Sequence, residues 1–110
     1  MVKQMLAFKR KPGMTFDEFK KYYIENHAPL VERVMPDLRK YVVNFALQRG
    51  KETPFDVINE LYWDDFHTIV KLAKSDVYKN IVVLDEKQFV DSDSIIIHIA
   101  EEFIQKKGNF

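Results

Sequence analysis

The sequence predicts an α+β domain whose elements run β-α-β-β-α-β, with four antiparallel strands and helices on one face. Three observations lead there. Residues 15–35 repeat apolar side chains at helical spacing behind a capping signal. Residues 39–48 and 55–63 read as strands separated only by a short polar loop. An isoleucine-rich strand closes the pattern after a second helical region. With 110 residues the chain suits one domain, 1–110, and at 46% hydrophobic and 14% aromatic it can fill a core.

The first strand is "MVKQMLAFKRK", with Val2, Gln4, Leu6 and Phe8 on one face. Pro12 and Gly13 turn the chain. Thr15 followed by Glu18 is a capping box. At 100° per residue, Phe16, Phe19, Tyr23, His27, Leu30 and Val34 fall on one stripe, opposite Glu18, Lys21, Glu25 and Glu32. Pro36 ends this helix near Met35. In "RKYVVNFALQ", Tyr41, Val43, Phe45 and Leu47 alternate with Lys40, Val42, Asn44 and Gln48. After the "RGKETP" loop, "FDVINELYW" pairs back as an antiparallel hairpin. A helix begins at Asp64 or Asp65 and carries Phe66, Ile69, Val70 and Ala73. Ser75 recaps a second piece, with Val77, Ile81 and Leu84 in register. "SIIIHIAEEFI" is the last strand. This order is the ferredoxin-like, split βαβ arrangement.

Both sides of the last strand are largely apolar, Ile95, Ile97 and Ile99 on one and Ile96, His98 and Ala100 on the other. Two helices cover one side only. A second copy packed sheet to sheet would cover the rest, giving a symmetric homodimer. An apolar but solvated face is the alternative.

Lys+Arg and Asp+Glu both number 17, so the basic excess of a nucleic-acid binder is missing, as is the basic, glycine and aromatic signature of RNA-reading sheets. The chain has no cysteine, and His27, His67 and His98 lack metal-ligand spacing, so no metal is expected. Three glycines form no phosphate loop. "MLAF" is too short for a signal or membrane segment, and a soluble cytoplasmic protein is expected.

"FKRKPGMTFDEFKKYYIENHAPLV", "RKYVVNF", "ELYWDD" and "LDEKQFVD", in that order, resemble the EthD-like proteins of the dimeric α+β barrel superfamily. The resemblance covers nearly the whole chain. It implies a homodimer whose sheets share a barrel, with a pocket in each subunit between sheet and helices. The family is associated with ethyl tert-butyl ether degradation and commonly described as oxidoreductase-like. Its wider relatives include cofactor-free monooxygenases, polyketide cyclases and lactone isomerases. Some relatives place a histidine after an asparagine in the second strand. Here Phe45 follows Asn44, which weakens a two-histidine mechanism.

His27 is the leading candidate. Pro29, two residues on, either breaks the turn or starts a new helical segment. A ring there is either a core histidine bonded to a carbonyl or a pocket acid–base group. Asp85 either bonds His27 and fixes its tautomer or holds the loop that follows. Pocket walls are expected from Phe19, Tyr23, Phe45 and Phe89, with Tyr62 or Trp63 depending on strand register. Lys9, Arg10 and Lys11 form a solvated turn or an anion gate. The resulting expectation is a cofactor-independent enzyme acting on a small apolar or aromatic, oxygen-bearing molecule. The alternative is a non-catalytic ligand-binding dimer.

Overall fold

The computed structural model describes residues 1–110. Strands β1 (Val2–Phe8), β2 (Lys40–Phe45), β3 (Val57–Trp63) and β4 (Ile96–Glu101) form one antiparallel sheet in the order β2-β3-β1-β4. This is the α+β, ferredoxin-like arrangement that the element order predicts. Period-two alternation decides which side of each strand meets the helices. Leu6, Phe8, Tyr41, Val43, Phe45, Val57, Leu61 and Trp63 face inward and pack into two apolar clusters. Lys3 pairs with Tyr62, Met5 with Glu60 and Val42 with Glu60, so these lie together on the outer face. β2 stops at Phe45, and Leu47 is exposed beyond it.

The first helical region starts with the capping box read from the sequence: Thr15 Oγ1 accepts from Glu18 N at 3.1 Å, and Glu18 Oε1 accepts from Thr15 N at 2.9 Å. It is not one uniform helix. α1 (Phe16–Tyr22) opens into a π turn over Tyr23–His27 before α2 (Ala28–Val34). Ala28 N donates to Tyr23 O, a five-residue span, and Pro29 sits in the first turn of α2, where its missing N–H costs little.

The wide turn corrects the expected stripe. Beyond His27 the buried side chains are Val31 and Met35, while Leu30 and Val34 are only half-buried. The inward row therefore advances by fours: Phe19, Tyr23, His27, Val31, Met35. A regular α-helix drifts about 40° with each step of four, and the extra residue in the π turn offsets that drift.

The second helical region repeats the device. α3 (Phe66–Ala73) is capped by Asp65, whose side chain accepts from Thr68 N, and Ser75 Oγ accepts from Tyr78 N. A π turn over Tyr78–Val82 leads into α4 (Val83–Glu86). The expected register of Val77, Ile81 and Leu84 is corrected: all three are exposed, and Tyr78, Val82 and Glu86 point inward instead.

The helices leave one edge of the inner face thinly covered. Ile97 and Ile99 of β4 pair with Leu6 and Gln4, so they share the helix side, yet they stay 53% and 37% exposed.

Candidate functional site

His27 ends the first π turn with only 5% of its surface exposed. Its Nδ1 lies 2.8 Å from Asp85 Oδ2, and the second Asp85 oxygen accepts from Tyr22 Oη at 2.7 Å. Both carboxylate oxygens are thus committed to side chains of the first helical region. Burial lowers the His27 pKa from 6.5, and the Asp85 bond only partly opposes it, so the ring is neutral at pH 7. A neutral imidazole facing a carboxylate acceptor donates from Nδ1–H, which leaves Nε2 with its lone pair. No buried side-chain nitrogen or oxygen in the molecule lacks a partner. Nε2 has no protein partner, so it borders open space.

That space is a cavity of about 30 Å³ between sheet and helices. Its polar wall is Gln4, His27, Tyr41, Asn59, Tyr78 and Glu86, and its apolar wall includes Val31, Met35 and Val82. The inward rows of four bring His27 and Glu86 to it from the two helical regions. Met35 and Tyr41 also line an open groove of about 500 Å³ between the first helical region and β2, and Met35 and Leu72 line another of about 290 Å³ beside α3.

A directed hydrogen-bond chain reaches the cavity wall. Asn59 Oδ1 accepts from Leu6 N at 3.1 Å, which fixes the amide so that Nδ2 donates to Tyr23 Oη at 3.0 Å. Tyr23 is fully buried, and its hydroxyl proton has one acceptor within reach, Tyr41 Oη at 2.6 Å. A buried donor without an acceptor is costly, so Tyr23 donates to Tyr41. The Tyr41 proton is then free for the cavity. Burial raises the Tyr41 pKa, which keeps that proton in place.

Glu86 was not singled out by sequence reasoning, which took Asp85 as the working acid of the pair. Burial, with the adjacent Asp85 adding to it, pushes the Glu86 carboxyl up to about 7. The sequence signal for it is the four-residue step from Tyr78 through Val82, visible only once the π turn is known.

The aromatic candidates separate into three places. Phe19, Tyr23 and Phe89 pack edge to face and tilted at centroid distances of 5.2–6.2 Å, with Phe45 against Phe19 and Tyr23. Phe89 also lies 4.8 Å from the His27 ring and backs it, while Tyr23 meets it edge on at 5.5 Å. Tyr23 and Phe89 support the histidine from behind, Phe19 and Phe45 brace those two, and none of the four rings lines the cavity.

Tyr62 is a correction: the register Tyr62↔Lys3 puts it on the outer face, bonded to Glu102. Trp63 takes the inner side, donating Nε1–H to Gln4 Oε1 at 3.1 Å. In the basic turn, Arg10 is tied to Asp56 and Met14 O. Lys9 and Lys11 flank a wide, polar surface depression away from His27.

The EthD domain profile matches residues 11–93. The chain belongs to the EthD family. An ethyl tert-butyl ether degradation (EthD) family protein from Bacillus halodurans C-125 superposes with a TM-score of 0.72 at 26% identity, covering 94% of this chain and 100% of that one. A dimeric protein of unknown function and ferredoxin-like fold from Bacteroides fragilis NCTC 9343 gives 0.66 at 13% identity, over 92% and 95% of the two chains. An antibiotic biosynthesis monooxygenase gives 0.61 at 17%, over 94% and 100%. The last two likenesses carry the fold alone. No curated protein matches this EthD chain. None of its helices is long and apolar enough to cross a membrane.

Proposed function

We propose that this EthD-family protein is a cytoplasmic, homodimeric, cofactor-independent enzyme for a small apolar or aromatic, oxygen-bearing molecule. His27 is its acid–base residue and Asp85 the residue that positions the ring. The observation that carries this is the buried Asp85–His27 bond of 2.8 Å beside a cavity, with Nε2 left unpartnered. In the supported step, Nε2 takes a proton from a carbon next to a carbonyl. The electron pair moves to the carbonyl oxygen as an enolate, and Asp85 stabilises the imidazolium. Returning the proton at another carbon is isomerisation, and attack of the carbanion on a second carbonyl is cyclisation. Oxygenation would start from the same carbanion, with dioxygen as the oxidant.

The homodimer has its own support. The outer sheet face carries Met5, Ala7, Val42, Ile58, Ile96 and Ala100 by strand register, and a structural neighbour is dimeric.

A non-catalytic ligand-binding dimer is the second reading. The observation favouring it is the size of the inner cavity, about 30 Å³, which holds one water-sized group. The test is recovery of small molecules that co-purify with the protein, followed by turnover of each by wild type and His27→Ala. Turnover by wild type alone supports the enzyme. Equal binding by both proteins with no turnover supports the binder.

A further inference from the structure

We infer that Tyr41 and Glu86 are a pair of hydrogen-bond donors to the substrate oxygen, so that the site takes a neutral, enolisable carbonyl compound: its oxygen enters the inner cavity and its hydrocarbon lies in the groove outside. This rests on the acid–base reading of His27 and assigns the groups that stabilise the negative charge which that reading creates.

Size comes first. The inner cavity of about 30 Å³ matches one oxygen atom with its hydrogens, and it cannot hold a ring. The groove of about 500 Å³ can, and its walls include Ile24, Ala28, Pro29, Leu38 and Val43, with the charged Glu32, Arg39 and Lys40 also on its lining. Met35 and Tyr41 belong to both spaces. Met35, with a flexible thioether, is suited to move aside for a ligand that spans them.

Direction comes next. The chain from Asn59 through Tyr23 fixes Tyr41 Oη as an acceptor from Tyr23, which aims its own proton at the cavity. The Glu86 carboxyl makes no hydrogen bond or ion pair to any protein group, and no buried side-chain oxygen is orphaned, so it borders open space. The groups facing it are His27, Tyr41 and Tyr78, with Asp85 beside it in the chain. No lysine or arginine lines the cavity to draw off its proton.

A carboxyl held near 7 is half protonated at neutral pH and can donate. Two donors at the oxygen and a neutral base opening on the same cavity are what an enolate-forming step needs, once Met35 moves aside to admit the carbon next to the carbonyl. An anionic headgroup in the inner cavity would meet Glu86 with no lysine or arginine beside it, so a charge there is accepted only when its proton passes to His27, which sets the preference for a neutral carbonyl.

The test uses 4-nitrophenol at pH 6 as an enolate mimic, with 4-nitrotoluene as the analogue lacking the oxygen. Wild type is expected to bind 4-nitrophenol as the phenolate, its proton on His27, seen by the visible phenolate band. Tyr41→Phe and Glu86→Leu are expected to weaken this binding by about tenfold each without changing 4-nitrotoluene affinity. Glu86→Gln, which keeps an N–H donor, is expected to recover much of the loss.

Failure of wild type to bind 4-nitrophenol, or its binding only as the neutral phenol, overturns the inference. So does an equal loss of both probes in the variants, or no loss of either. His27→Gln separates the two readings. A phenolate band that survives in His27→Gln removes the acid–base role while leaving the donor pair standing. If Tyr41→Phe or Glu86→Leu fails to fold, infrared difference spectra of wild type decide. Addition of 4-nitrophenol is expected to shift a protonated-carboxyl band, and an unmoved band overturns the inference.

Discussion

Two neighbouring acids meet different surroundings and acquire different duties. Asp85 spends both oxygens on Tyr22 and His27, while Glu86 has no partner and faces the cavity. The stability consequences of Glu86 and His27 have opposite signs. His27 has a folded pKa below its ordinary 6.5, so its contribution is complete above 6.5 and is lost as pH falls through the lower folded value. Glu86 has a folded value near 7 against an ordinary 4.5, so its contribution is complete below 4.5 and is lost as pH rises through 7. The two oppose each other below 6.5, and only Glu86 acts above it. Wild-type stability should therefore fall between pH 6.5 and 8. Glu86→Gln should remove that fall and be the more stable protein at pH 8 by roughly 1–2 kcal/mol. Thermal melts of both proteins across that window check this.

At the scale of elements, the two π turns decide what the helices present. The Thr15 capping box, the four antiparallel strands and the two-sided alternation of β1 and β2 follow from local chemistry and were legible from residue spacing, whereas which side of β2 meets the helices was not. Removing the cap by Thr15→Ala should cost about 1 kcal/mol, read from a denaturant melt. The π turns were not legible, because a 100° wheel assumes one helical period throughout. That assumption put Leu30, Val34, Val77 and Ile81 inside and hid Glu86. His27 was legible because it is only two steps of four from Phe19, too few for the wheel to drift off the face, and Asp85 because an acid at a helix C-terminus is a local misfit. The choice between Tyr62 and Trp63 was out of reach, since register depends on partners fifty residues away.

If the π turn serves the site more than the fold, deleting exposed Asn26 should let the helix close into a regular period and leave the protein folded. The Nδ1–Asp85 bond would then be broken. Circular dichroism with histidine NMR separates these outcomes: an unfolded deletion variant, or one that keeps the bond, contradicts this view of the turn.

For the whole molecule, the sheet has helices on one face only, and its outer face mixes apolar side chains with the Lys3, Glu60, Tyr62 and Glu102 network. Burying that face against a second copy would remove the remaining exposed surface of Ile58 and Ile96 from water, each worth about 1 kcal/mol, since both are already near half-buried. Sedimentation should find a dimer at micromolar concentration. Ile58→Lys should shift it towards monomer, because a lysine buried beside Ala7 and Asn44 would be desolvated while Glu60, next on that face, is already paired with Lys3. A wild-type monomer would leave the outer face to solvent.

The account depends most on the state of one imidazole, and nitrogen-15 NMR of His27 from pH 5 to 8, in wild type and Asp85→Asn, tests it most directly. The prediction is a neutral, Nδ1-protonated ring at pH 7 that titrates below 6.5 in wild type and loses its fixed tautomer in Asp85→Asn. A ring already charged at pH 7, one protonated on Nε2, or one inert across the whole range in both proteins would contradict it.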